Sequence, residues 1–381
     1  MSTYSCLSSP VRSDVIEIDG IDEIHGRPIV VALSGGVDSS VAALLLKRSG
    51  ASPIGLSMQL YDQREAVSGR SCCALDDLYD ARRVASLLDI PYYVIRMEKA
   101  FEEHVIEPFV SGYLAGLTPS PCVLCNSYLK FDELMTRARQ MGASSVATGH
   151  YARRELDAGT GRYRLLKGMD EEKDQSYFLF GLTQEQLARA VFPLGHLKKS
   201  EVRALAAGAG LPVAGKGESM EICFVPDGNY QRFVDRRARP VAVGGDIVDD
   251  AGRVLGHHDG VHRYTVGQRR GLGLSAREPL YVIDLEPESK RVTVGPRAAL
   301  ERSSFQVNGL NWISGCAPRE SVRCRVKIRS RHREAPARVV PIDAEQARVE
   351  FDSPQRAVSP GQAAVFYEEN AVLGGGWITR N

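Results

Sequence analysis

A short run of mostly β-branched apolar residues, Ile29–Leu33, gives way to Ser34-Gly35-Gly36-Val37-Asp38-Ser39-Ser40. A second apolar run, Val41–Lys47, follows and stops near Gly50. No other stretch constrains the fold as strongly. The first run has the length and branching of a buried strand, the second the character of a buried helix. Glycines at the join allow positive φ and a close approach of backbone to ligand. The first amides of the helix then face an anion, helped by the helix dipole. Ser34 and Ser39 add hydroxyl donors. Asp38 would repel a bare phosphate, so its use is through Mg²⁺. This is not the Walker pattern, which ends in Gly-Lys-Ser/Thr. The plain alternative is a glycine-rich turn that binds nothing.

The pattern downstream repeats the strand-then-helix theme. Ile54–Met58, Tyr92–Arg96 and Ser145–Thr148 read as strands, and Leu78–Leu88, Phe101–Leu117 and Lys130–Met141 as helices. Such alternation predicts an α/β fold with a doubly wound parallel sheet. Tyr151–Leu156 and Arg162–Leu166 flank Asp157–Gly161 as a hairpin. Helices are expected at Gln184–Ala190 and Ser200–Ala207, with Ser200 as N-cap. After Cys223 glycine and proline become frequent and helical periodicity disappears. The expected units are an extension at 1–26, the α/β domain at 27–226, a small central domain at 227–288 and a C-terminal β-barrel-like domain at 289–381.

The chain has 381 residues, 25% of them charged, with a net charge of +1, which excludes a global polycation but not a local basic patch. Such a patch is present. Val322, Cys324, Val326 and Ile328 alternate with Arg323, Arg325, Lys327 and Arg329, so a strand has one cationic face. Arg323–Arg338 carries seven Lys or Arg against one acid, Glu334. A solvated strand face is the bland reading; the imbalance favours RNA phosphates. No apolar run is long enough to span a membrane. The acidic N-terminus resembles neither a secretory leader nor a transit peptide, so the expected compartment is the cytoplasm.

Eight cysteines are too few for a disulfide scaffold in a chain of this length. Cys122-Val123-Leu124-Cys125 is a CxxC, and Cys223 lies about a hundred residues on. From spacing alone the CxxC is a redox pair, half a metal site or chance. Cys6, Cys72, Cys73, Cys316 and Cys324 are read as structural, with Cys324 in a core.

The loop Ser34–Ser39 resembles the SGGxDS signature of the PP-loop ATP pyrophosphatases. Seven motifs in order extend the likeness: this loop, Pro121–Asn126 with Lys130-Phe131, Ala147–Ala152, Lys173–Leu179, Phe192–Gly195, Ile222–Phe224 and Tyr264–Gly273. Together they resemble the tRNA-specific 2-thiouridylases over residues from Ile29 to the C-terminus. The resemblance implies ATP-dependent replacement of the C2 oxygen of wobble uridine by sulfur. Ala32, Leu33, Ser34, Gly35, Gly36, Val37, Asp38, Ser39, Met58 and Gly149 match the site for Mg²⁺·ATP. Cys125 matches the nucleophilic cysteine and Cys223 the persulfide carrier, the two able to close a disulfide after transfer. Ser120, Pro121, Cys122, His150, Lys173, Asp174, Gln175, Arg329, Ser330 and Gln362 match tRNA contacts. Expected partners are glutamate, glutamine and lysine tRNAs, and a persulfide donor or sulfur-relay protein.

The chain departs from the family pattern at several points. Cys122 stands where some members carry Asp, so Cys122, Cys125 and Cys223 offer three thiolates for a [4Fe–4S] cluster that binds sulfide. Ser330 replaces the commoner Tyr. Met58–Arg70 lacks the acidic run common there, and residues 1–26 have no counterpart. Two other readings are a PP-loop ligase acting on a small molecule and an RNA-binding sulfur carrier. The first has no need of the Cys125/Cys223 pair, the second no need of an intact phosphate loop.

Overall fold

The computed structural model describes residues 16–61, 75–217, 222–225, 227–238 and 244–380. Cys6, Cys72 and Cys73 lie outside them, as does most of Met58–Arg70. The phosphate loop sits where its neighbours required. Strand Pro28–Ala32 precedes it and helix Val37–Arg48 follows. Pro28–Ala32 is central in a five-stranded sheet ordered Tyr92–Arg96, Ser52–Gln59, Pro28–Ala32, Val146–Ala147, Ala190–Val191, with all neighbours parallel. Its side chains alternate between two cores. Val30 packs with Leu56, Phe101 and Phe131, while Ile29, Val31 and Leu33 pack with Val41, Leu45 and Val202. Burial on both faces explains the unbroken apolar run.

The cysteine segment is more helical than its sequence suggests. Helix was expected from Lys130, but it begins at Pro121, which occupies the first turn. Proline is well suited there, because its missing N–H would have no intrahelical acceptor. The helix widens into a π-helical stretch, Cys125–Glu133, before Leu134–Gln140. The CxxC therefore lies on a helix. At Lys199–Gly208 the N-cap position is Lys198 rather than the expected Ser200. The Glu201 carboxylate accepts from the Lys198 N–H at 2.7 Å, and this fixes the cap two residues earlier.

Beyond Cys223 the loss of helical periodicity was not complete. Tyr230–Arg237 is a helix, capped by Asn229, whose side chain accepts from the Arg232 N–H. It is short and polar, with Val234 fully buried, so its pattern is weak. A four-stranded sheet follows, ordered Tyr281–Glu286, Arg291–Gly295, Gly245–Val248, Val254–His258. Its antiparallel pair Tyr281–Glu286/Arg291–Gly295 straddles the boundary expected at 288.

The C-terminal strands close into a barrel. Glu301–Trp312 pairs with Ala347–Arg356 on one side and with Ala371–Ile378 on the other, joining the ends of a six-stranded antiparallel run. The hairpin Ala152–Asp157/Arg162–Lys167 adds to this sheet through Ala371↔Leu166 and Val372↔Leu165. The α/β part is thereby joined to the barrel by strand pairing. Ala363, Val365, Tyr367 and Val372 of the barrel share a core with Phe131, Tyr177 and Phe192. No helix among the described residues is long and apolar enough to cross a membrane.

Candidate active site

The phosphate loop is preshaped. Gly35 has φ +73°, and a Cβ there would fall 2.1 Å from the Asp77 carbonyl oxygen. Only glycine fits such a position. Ser39 Oγ accepts from the Ser34 N–H at 3.2 Å, lies 3.1 Å from Ser34 Oγ and donates to the Gly36 carbonyl. Ser40 Oγ donates to the same carbonyl at 2.7 Å. The first amides of the following helix lack intrahelical acceptors, as an anion site requires. Lys216 Nζ donates to the Gly35 carbonyl at 2.9 Å and to Asp77 and Asp80 at 2.5 and 2.8 Å. Burial opposes its charge, but the two carboxylates outweigh burial and raise its pKa.

Asp38 is held by groups the sequence did not disclose. Lys199 Nζ donates to both carboxylate oxygens, at 2.6 and 2.7 Å, and the Tyr151 hydroxyl donates to one at 2.8 Å. The carboxylate expected to serve Mg²⁺ thus faces a lysine. The sequence offered no signal for Lys199, whose partner lies 161 residues away and which precedes the helix start expected at Ser200. Gly149 packs on the loop so closely that a Cβ would lie 2.8 Å from Asp38 C and Ser39 N. Ala32 ends the central strand and Leu33 follows it, and Met58 lies half-buried on the neighbouring strand.

A second feature is the thiol patch. Cys122, Cys125 and Cys223 are half-buried free thiols. Each of the two helix thiols feels the charge of Cys223, and Cys125 also that of Cys122. Tyr61 Oη lies 3.6 Å from Cys223 Sγ. Lys130 stands within electrostatic range of Cys122 and Cys125, as its place in the sequence hinted. Its charge favours thiolates, yet burial prevails and pushes Cys122 up to about 11 and Cys125 up to about 12. Burial therefore outweighs the neighbouring cation at both thiols. Lys130 Nζ lies 3.4 Å from His150 Nε2, and Thr148 Oγ1 lies 2.8 Å from His150 Nδ1. Burial, with the Lys130 charge beside it, drives the His150 pKa well below its ordinary value. A neutral imidazole can accept from Lys130 while its Nδ1–H donates to Thr148.

The residues matched to tRNA contacts separate into two groups. Ser120, Pro121 and His150 are buried. Asp174 accepts from the Gly168 and Ser176 amides and the Ser176 hydroxyl, and Gln175 Oε1 accepts from the Tyr151 N–H. These side chains brace the fold around Tyr151, while Lys173 is half-exposed beside them. Arg329 and Gln362 line a cavity of about 360 Å³ with Thr118, Thr265 and Gly267, where the three parts of the chain meet. Such a volume lies within the small-ligand range of about 300–1,000 Å³. Gln362 Nε2 donates to the Thr118 carbonyl at 2.8 Å, which ties the barrel to the segment leading into Cys122. Ser330 is exposed at the next position after Arg329.

The basic run Arg323–Arg338 is partly neutralised by acids, two of them from strand Ala347–Arg356, which lies one strand beyond Ala335–Pro341. Asp352 accepts from Arg323 at 3.2 and 3.1 Å, and Glu350 from Arg338 at 3.2 and 2.9 Å. Glu334 lies 3.8 Å from Arg325. Arg329 donates to the Arg356 and Ala357 carbonyls. Cys324, expected in the core, is half-buried against it.

The comparisons with known proteins agree with this layout. Residues 27–227 match the family model described as the tRNA methyl transferase HUP domain. Residues 231–296 match its PRC-barrel domain and 302–378 the aminomethyltransferase beta-barrel domain. A protein of Solibacter usitatus, named tRNA-specific 2-thiouridylase MnmA, is 55% identical over 92% of this chain and 99% of its own. Proteins of that name from Geotalea uraniireducens and Chloroflexus aurantiacus are 54% and 49% identical, over 92% of this chain and 95% and 98% of theirs. With similarity of this extent along all three parts, the chain belongs to the family of tRNA-specific 2-thiouridylases.

Proposed function

We propose that this protein thiolates the wobble uridine of tRNA at C2, using ATP and a cysteine-bound sulfur. The observation that carries the reading is the placement of an anion loop and a thiol patch on either side of one turn, Thr148–Tyr151. Gly149 and Tyr151 touch the loop, and His150 engages Lys130 beside the thiols. A carbonyl oxygen is a poor leaving group, and adenylation converts it to AMP. Ser34, Ser39 and the loop amides would hold the phosphates of Mg²⁺·ATP, and the nucleotide would supply the adenylyl group. The C2 oxygen bonds to phosphorus as the bond to pyrophosphate breaks.

Sulfur then arrives as a persulfide on Cys223, loaded by a persulfide donor or relay protein. Its terminal sulfur attacks C2, and AMP departs with the oxygen. The Cys125 thiolate attacks Cys223 Sγ, the sulfur–sulfur bond breaks, and the outer sulfur stays on C2 as the thiocarbonyl. Cys125 and Cys223 are left as a disulfide, which an external dithiol reduces. The target base must leave the anticodon loop to reach the thiols. Arg329 and Gln362 in the cavity, with Lys173, are the contacts we assign to RNA. Glutamate, glutamine and lysine tRNAs are the proposed substrates, in the cytoplasm.

One observation favours a second route. Cys122 shares the patch with Cys125 and Cys223, so three thiols are at hand for a [4Fe–4S] cluster with one open iron. Bound there, the cluster would supply an iron site for sulfide. Among the described residues these three do not gather as tightly as a single-ion site demands.

Nucleoside mass spectrometry tests the proposal. Unmodified tRNAs are incubated anaerobically with protein, ATP, Mg²⁺ and a persulfide donor. The expected result is a sulfur-for-oxygen mass shift on wobble uridine that needs ATP and disappears in Cys125→Ser and in Cys223→Ser, both still binding ATP. Wild-type turnover in either variant would refute the assigned chemistry. Visible absorption of the same anaerobic sample separates the cluster route from the persulfide route.

A further inference from the structure

The Lys199–Asp38 pair stands at the mouth of the phosphate loop, yet a phosphate loop needs cations more than carboxylates. Both Asp38 oxygens are held by one ammonium, at 2.6 and 2.7 Å, with Tyr151 Oη at 2.8 Å on the first. Lys199 is anchored at its backbone, where its N–H donates to Asp170 Oδ2 at 2.8 Å. Only the side chain is therefore free to change partner. That side chain is 15% exposed and the Asp38 side chain 34%, so both reach the open side of the loop. Lys216, the other lysine at the loop, is held by Asp77, Asp80 and the Gly35 carbonyl. Its charge already has two carboxylate partners, whereas Lys199 has one that a divalent cation can take over.

We propose that Lys199 is a polyphosphate-binding residue that releases Asp38 when a nucleoside triphosphate enters the loop. In the empty site the ammonium neutralises the carboxylate. An arriving triphosphate offers a denser negative charge and draws the ammonium to a phosphate oxygen. The freed carboxylate then meets the divalent cation that accompanies the nucleotide. The exchange makes Asp38 a cation ligand only when nucleotide is present. This inference rests on the ATP reading of the loop and adds to it a residue and an order of events.

The test is a double-mutant cycle on nucleotide affinity, read by calorimetry on the full-length protein with and without Mg²⁺. Lys199→Met is expected to weaken Mg²⁺·ATP binding about ten- to a hundredfold, the worth of a charge-assisted hydrogen bond. Asp38→Asn is expected to strengthen binding of Mg²⁺-free ATP, because the ammonium no longer has to leave a carboxylate. In that background Lys199→Met should cost more affinity than in the wild type, a non-additivity specific to exchange. Lys198→Ala, which removes the neighbouring exposed lysine, should leave affinity within about twofold. Thermal melts confirm that each variant is folded. Unchanged affinity in folded Lys199→Met, or strictly additive losses, overturns the exchange. Failure of the wild type to bind ATP overturns the nucleotide reading and this inference with it.

Discussion

The resting state of Cys125 makes a quantitative claim about reactivity. Burial pushes its thiol up to about 12 despite the opposing charge of Lys130. An ordinary thiol with a pKa of about 8.5 is roughly a quarter ionised at pH 8, whereas one at about 12 is ionised to about 10⁻⁴. The thiolate is the species that alkylates, so ionisation alone slows the reaction by about 2.4 × 10³. A more basic thiolate is a better nucleophile, and a Brønsted slope of about 0.4–0.5 over this shift returns roughly 30- to 60-fold. Ionisation prevails. At pH 8 Cys125 should react with iodoacetamide about 40- to 80-fold more slowly than a free thiol. Its rate should climb about tenfold per pH unit to pH 10 without levelling off. Timed labelling followed by peptide mass spectrometry reads each cysteine separately, with the exposed Cys316 as internal reference. Lys130→Met removes the cation and should slow Cys125 further. Steric shielding would lower the rate without moving the pH at which it levels off. A plateau below about pH 9.5 would therefore refute the reasoning, whatever the absolute rate.

Two further substitutions probe the loop and the RNA surface. Gly149→Ala places a methyl 2.8 Å from Asp38 C and Ser39 N, so the helix start must shift. The cost of such overpacking, about 1–3 kcal/mol, should appear as a roughly five- to hundredfold loss of ATP affinity by calorimetry; unchanged affinity would mean the turn does not support the loop. Arg329→Glu should weaken tRNA binding and flatten its salt dependence by about 0.7–0.9 per lost phosphate contact, read by filter binding across salt concentrations. An unaltered slope would return Arg329 to a bond between strands.

The parallel sheet and the phosphate loop were legible because each depends on local pattern. Ile29–Leu33 could be buried on both faces only as a strand between layers, and Gly35 occupies a backbone conformation open to glycine. The cysteines were legible as a set through motif order, but their ionisation was not. Proximity of Lys130 says nothing about how much water the fold removes from Cys125, and burial outweighs the charge. The charge of the cationic strand was legible only in part. A count along Arg323–Arg338 sees Glu334 but misses Asp352 and Glu350, which arrive from another strand. Lys199, Tyr151 and Lys216 were invisible as a site because their partners are more than a hundred residues away in sequence.

The turn after strand Val146–Ala147 explains how one short segment serves two chemistries. Gly149 lies against the Asp38–Ser39 backbone, and Tyr151 Oη donates to Asp38. His150 Nδ1 meets Thr148 Oγ1 within the segment, and Nε2 faces Lys130 outside it. Odd positions address the nucleotide loop and the even position addresses the cation beside the thiols. The Tyr151 N–H is held by Gln175, so the turn is fixed from a third direction. A phosphate-loop protein that only adenylates needs the first set of contacts, and a thiol carrier only the second. A segment four residues long cannot shift at Gly149 without moving His150, so the position of the Lys130 charge relative to Cys125 is tied to the geometry of the loop. In the proposed chemistry, activation of the oxygen and delivery of the sulfur occur at the same carbon, and this turn ties the phosphate loop to the lysine beside the thiols.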